Sequence, residues 1–216
     1  MRFLISAAFL TVGFSLTAAQ DSPAATLLQA KQLYYSGIAG NPSDLAQSAA
    51  LFDHLSPAAD RPSIHPPSIT DPSIAAYRGS LLLIEAGQTL ALWKKSDLSR
   101  RGLTLLDDSV AAHPEDLEIR FVRAATTLHL PIFFRRKSQS CEDFRFLAPK
   151  AAEAANRRQL DPRIAAGALF FYAKNCASNS VLPADSAMRQ AASIAPDSPA
   201  GHAAAAQLAQ HPPLAR

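Results

Sequence analysis

The residues best suited to chemistry in this 216-residue chain are six histidines, two cysteines, and arginines and carboxylates at helical spacing. His54, His65, His113, His129, His202 and His211 form no His-x3-His pair and no His-Glu-x-x-His run. Each sits near an expected helix end or loop, so they read as exposed, non-ligating side chains, and no metal or other cofactor is expected. A serine hydrolase of the Gly-x-Ser-x-Gly type needs a strand-turn-helix elbow, and the motif is absent. The eight glycines are scattered rather than gathered into a phosphate-cradling loop. Asp107-Asp108 and Glu142-Asp143 are adjacent pairs, which diverge on a helix. No catalytic constellation results, and the chain does not read as an enzyme.

The arginines offer recognition instead. Arg78 and Glu85 are seven residues apart and share one helix face, while Arg120 and Arg123 share another with Thr127 below. On neighbouring helices these residues would form a charged ladder able to capture a carboxylate through bidentate guanidinium groups. The same set could equally pair internally and join adjacent helices. Tyr77 and Trp93 complete the candidate protein- or peptide-binding residues: Tyr77, Arg78, Glu85, Trp93, Arg120 and Arg123.

Cys141 and Cys176 are an even count in a chain read as exported, which favours a disulfide over two buried thiols. The export reading rests on residues 1–19. Arg2 precedes an apolar stretch from Phe3 to Leu16, and Thr17 and Ala19 are small residues at an expected cleavage site. About fourteen apolar residues are too few for a spanning helix, which needs about twenty. The protein therefore reads as periplasmic or secreted. The net charge of +3 is too small for a nucleic-acid partner. The run Phe133-Phe134-Arg135-Arg136-Lys137 reads as an aromatic core plug with solvated cations, so no membrane contact is expected.

Proline marks the elements that must hold these residues. Ser22-Pro23, Asn41-Pro42, Asp71-Pro72, Asp161-Pro162 and Ser198-Pro199 each pair a capping residue with a first-turn proline. Helices are predicted over 23–36, ended by Gly37, and over 42–55. A proline-rich loop spans 56–70. A long helix follows over 72–94, then its partner from about 97, capped by Ser96, to His113. Further helices cover 115–130, 140–158 with a kink or break at Pro149, 162–175, 183–195 and 199–210, before a frayed tail at 211–216. The sum is one all-α domain of about nine helices over 20–210.

Gly102-x3-Leu106-x2-Ser109-x4-Pro114 and Ala184-x3-Met188-x2-Ala191-x4-Pro196 place small, large, small and proline residues at identical offsets. That is the pattern of the second helix of a tetratricopeptide-like hairpin. Pro162 and Pro196 are also 34 residues apart, the period of such arrays. The residues before Pro162, however, do not continue the register. Together with Tyr77-Arg78-Gly79, the segment 118–123 and Leu130-Pro131, these features make the chain resemble small, signal-bearing, tetratricopeptide-like bacterial proteins. The resemblance implies a degenerate right-handed solenoid of helical hairpins that binds proteins or peptides along a concave groove lined by the first helix of each hairpin. The alternative is a structural or accessory subunit of a cell-envelope assembly without a ligand groove.

Overall fold

The computed structural model describes residues 22–55, 71–177 and 182–210. Among them are nine α-helices and no strand: α1 Pro23–Ile38, α2 Pro42–Leu55, α3 Pro72–Gln88, α4 Leu92–Ala112, α5 Leu117–Thr127, α6 Lys137–Asn156, α7 Pro162–Asn175, α8 Ala184–Ile194 and α9 Pro199–Gln210. One 3-10 turn, Ile132–Phe134, links α5 to α6. The expected export segment 1–19, the loop 56–70 and the tail 211–216 lie outside the described residues.

Local chemistry explains the helix starts. Ser22 accepts a hydrogen bond from the Ala25 backbone N–H, and Asp71, Asp116 and Asp161 accept from the N–H groups of Ser73, Ile119 and Arg163. Each satisfies an otherwise orphaned donor in the first turn. Asp71, Asp116 and Asp161 recur every 45 residues, and Ile74, Ile119 and Ile164, three positions after each, are all buried. The 34-residue interval between Pro162 and Pro196 therefore does not measure the repeat. Pro162 opens α7, whereas Pro196 lies in the turn after α8, so the two are not equivalent positions.

Consecutive helices pack as neighbours, α1 with α2, α3 with α4, α5 with α6 and α7 with α8. In the α3–α4 pair, Gly79 lies against Leu106 and Gly102 against Leu83, which requires the two helices to run antiparallel. Gly102, Leu106 and Ser109 are buried on α4, as are Met188 and Ala191 on α8. Pro114 and Pro196 each follow the helix by two residues, so the two registers occupy matching structural positions.

The core has two lobes joined through α5. Ile119 and Val122 face Phe52, Tyr77 and Leu106, while Phe121, Ala124 and Leu128 face Phe144, Leu147 and Leu169. The Cys141–Cys176 disulfide ties α6 to the residue capping α7. Closing a loop of that length constrains the unfolded chain by about 4 kcal/mol in the chain-entropy account.

Several helix limits differ from expectation, with α5 covering Leu117–Thr127 instead of 115–130 and α6 starting at Lys137 instead of Ser140. The long helix predicted to reach Lys94 stops at Gln88, because Thr89 is extended and a turn separates it from α4 at Leu92. Ala91, without a side-chain cap, takes the position expected of Ser96. α1 continues through Gly37, whose missing Cβ leaves room for Leu45 of α2. α6 runs unbroken through Pro149. Only one backbone hydrogen bond is lost to a proline, and Leu147, Ala148 and Ala151 hold that stretch against the core.

Candidate functional site

The first helices of the successive pairs face a common cleft of about 1050 Å³. α3 and α5 run in the same direction, since Tyr77 meets Glu118 near their starts and Ser80 meets Thr126 further along. α5 and α7 also run together, with Phe121 against Gly167 and His129 near Phe171. The cleft opens where the later turns of α1, α3 and α5 meet α7, and the turn between α8 and α9 closes one side.

Its surface is mainly apolar, built around Leu83, Phe121, Ala125, Leu130, Phe170 and Phe171. Gly167 matters here because a Cβ would stand 2.9 Å from the Phe121 ring, so its absence lets α5 and α7 approach. The polar lining is mostly uncharged. The Ser80 hydroxyl lies 2.7 Å from that of Tyr34 and 2.8 Å from that of Thr126. Burial raises the Tyr34 pKa, partly offset by its hydroxyl neighbours, so the phenol is neutral at physiological pH. Arg163 and Asp197 bring charge to the rim from α7 and the α8–α9 turn. The Arg163 guanidinium is bound to Asp161 at 2.7 Å and lies over the Tyr35 ring. The lining is thus apolar with neutral hydroxyls and carries no nucleophile–base pair.

None of the six residues singled out from sequence lines this cleft. Tyr77 is fully buried, stacked on Phe52 and donating to Glu118 at 2.8 Å; Lys31 completes that chain on Glu118. Arg78 is buried and paired with Asp53 of α2 at 2.8 Å. It shares a smaller pocket of about 350 Å³ with Glu85, which pairs at its exposed end with Lys94. Trp93 stands exposed in the first turn of α4 rather than on α3.

Arg120 and Arg123 do act together, on a carboxylate of their own chain. Asp143 of α6 is fully buried and receives Arg120 at 2.6 Å and Arg123 at 2.8 and 2.9 Å. Asp107 of α4 extends the network to Arg123 and to Arg136. Burial lowers the Arg123 pKa, but the bonds to Asp143 and the nearby Asp107 more than reverse this, so its charge is fixed. Of the two sequence alternatives, the arginine pair takes the internal one. Arg120 also covers the Phe146 ring, with Lys150 on that ring as well.

The signal that locates the cleft is the 45-residue period of the aspartate caps. Ser80, Ala125 and Phe170 each stand nine positions after a cap, and all three line the cleft. Among the described residues no cluster of three or more histidine, cysteine or acidic side chains is placed to hold a metal ion. Comparison with protein families, with curated proteins and with solved structures gives no match.

Proposed function

We propose that the chain is an exported, degenerate tetratricopeptide-like solenoid that holds a protein or peptide in the cleft walled by α1, α3, α5 and α7. The observation that carries this reading is the cleft itself, a contiguous apolar surface shared by the first helix of every pair. Apolar cavities of this size with few polar groups suit ligand side chains that lose water on entry. The recurrence of Ser80, Ala125 and Phe170 at one offset supports a repeat-type wall. The disulfide supports periplasmic or secreted placement, where oxidised cysteines persist. Among the described residues no helix is long and apolar enough to cross a membrane.

The test is selection from a random peptide display library on the immobilised chain, followed by calorimetric titration of the selected peptides. Peptides rich in apolar residues are expected, with affinity falling at least about tenfold in Ala125→Glu, which buries a charge in the cleft wall. Helix content and melting must match wild type for that comparison. A library that yields no specific peptide, or binding untouched by Ala125→Glu, would sink the reading.

A further inference from the structure

Large apolar side chains left in water are concentrated at one end of the helix array. Leu90, Leu92 and Trp93 are exposed by 95, 80 and 78 % around the α3–α4 turn. Ile132 and Phe133 are exposed by 92 and 73 % in the α5–α6 connection. Because α3 and α5 run in the same direction, the connections that follow them lie at the same end. Ile38, exposed at the end of α1, adds a third apolar turn to the set that follows the cleft-lining helices. Single exposed leucines are ordinary on protein surfaces, but five large apolar side chains on two turns form a patch that calls for a cover.

The charges beside them identify the cover. Lys94 and Lys95 follow Trp93, and Arg135, Arg136 and Lys137 follow Phe133. No acidic residue occurs between Ala86 and Ser96 or between Ile119 and Cys141. Lys94 is paired with Glu85 and Arg136 with Asp107, whereas Lys95, Arg135 and Lys137 make no ion pair among the described residues. Phe134 is half-buried with its ring against that of Phe133, and Phe133 is 73 % exposed. Exposed Trp, Phe, Leu and Ile interleaved with Lys95, Arg135 and Lys137, cations without an ion pair among the described residues, match an anionic bilayer surface: rings and aliphatic chains enter the headgroup boundary while Lys and Arg meet lipid phosphates.

We infer that this end of the molecule docks on an anionic lipid surface through the α3–α4 turn and the α5–α6 connection, without any helix crossing the bilayer. This inference is independent of what the cleft holds. It runs against the expectation of no membrane contact, which took the phenylalanine pair as a core plug.

Trp93 is the only tryptophan in the chain, so its fluorescence reports this end and no other. The purified chain is titrated with vesicles of phosphatidylglycerol mixed with phosphatidylcholine, and with vesicles of phosphatidylcholine alone. On the anionic vesicles the Trp93 emission is expected to shift to the blue and to be quenched by brominated acyl chains. Neutralising Lys95, Arg135 and Lys137 to Gln should weaken the partition about fivefold for each cation removed. Phe133→Ser should weaken it further with helix content unchanged. Trp93 emission unmoved by anionic vesicles overturns the proposal. So does a blue shift that depends on protein concentration without lipid, which would make a second copy the cover, or a shift equal on the two vesicle types and blind to the three Gln substitutions.

Discussion

Gly79 and Gly102 face each other across the α3–α4 seam so closely that a Cβ on either would stand 2.8 or 2.7 Å from the other's carbonyl oxygen. The contact is reciprocal, since Leu106 fills the space over Gly79 and Leu83 the space over Gly102. Backbone, unlike a flexible side-chain tip, cannot give way without moving a helix. Gly79→Ala and Gly102→Ala are each expected to destabilise the fold by about 1–3 kcal/mol, despite the higher helix propensity of alanine. Gly87 is the control: it lies in the same helix with nothing within 4 Å of its missing Cβ, and Gly87→Ala should stabilise by about 0.5–1 kcal/mol. Urea denaturation of the three variants gives the signs. A neutral Gly79→Ala would mean that the seam is loose.

Asp143 is the anchor of the α4–α5–α6 charge network, and its carboxylate is 1 % exposed against 18 and 11 % for the Arg120 and Arg123 side chains. Asp143→Asn keeps the shape but removes the carboxylate that Arg120 pairs with and leaves Arg123 only the longer contact to Asp107. A loss of about 3–5 kcal/mol is expected, the cost of breaking a buried pair from one side. The half-exposed to exposed pair Arg157–Glu153 gives the contrast, and Glu153→Gln should change stability by less than about 0.5 kcal/mol. Equal effects from the two substitutions, measured by chemical denaturation, would contradict the buried anchor.

What the sequence made legible was the set of proline-marked helix starts, and the reason is local. Pro23, Pro72 and Pro162 each follow a residue whose side chain caps the helix, so a few neighbouring atoms decide the start. Helix ends were harder. Gly37 continues α1 because Leu45, on another helix, fills the space above it. The pairing of the candidate arginines is non-local for a similar reason. Charge drew attention to Arg120 and Arg123, but their partner Asp143 lies twenty residues further on, and no spacing rule within one helix links them. The cleft residues Ala125 and Phe170 look like ordinary core positions in sequence. Only the recurrence of Asp71, Asp116 and Asp161 puts them on one wall.

Tyrosine ionisation should be coupled to unfolding at high pH. Burial raises the pKa of Tyr34, and it raises those of Tyr35 and Tyr77 well above the ordinary value near 10. The nearby Glu118 carboxylate acts in the same direction on Tyr35 and Tyr77. Raised folded pKa values mean that the stabilising contribution is fully present below pH ~10 and is lost as pH climbs toward the folded values. Absorbance at 295 nm, followed beside far-ultraviolet circular dichroism, should show Tyr34, Tyr35 and Tyr77 ionising in one steep phase with helix loss. Gradual ionisation of these three near pH ~10 with helices intact would show that the Tyr34–Tyr35–Tyr77 cluster is open to water.

Arg158 closes α6 in a conformation that its side chain disfavours. Its φ is +59°, while the N–H groups of Arg158 and Gln159 bond back to the carbonyls of Ala155 and Ala154. These are the two bonds of a Schellman motif, whose left-handed position is usually glycine. A left-handed L-residue costs roughly 1–2 kcal/mol, and glycine returns about 0.5–1 kcal/mol of that in lost chain entropy. Arg158 is exposed, so its removal opens no cavity. Arg158→Gly should therefore stabilise by up to about 1 kcal/mol and raise the melting temperature by about 2–4 °C. Arg158→Ala keeps the Cβ clash and should bring no such gain. The difference between the two, read by thermal denaturation, isolates backbone strain from the loss of a positive charge.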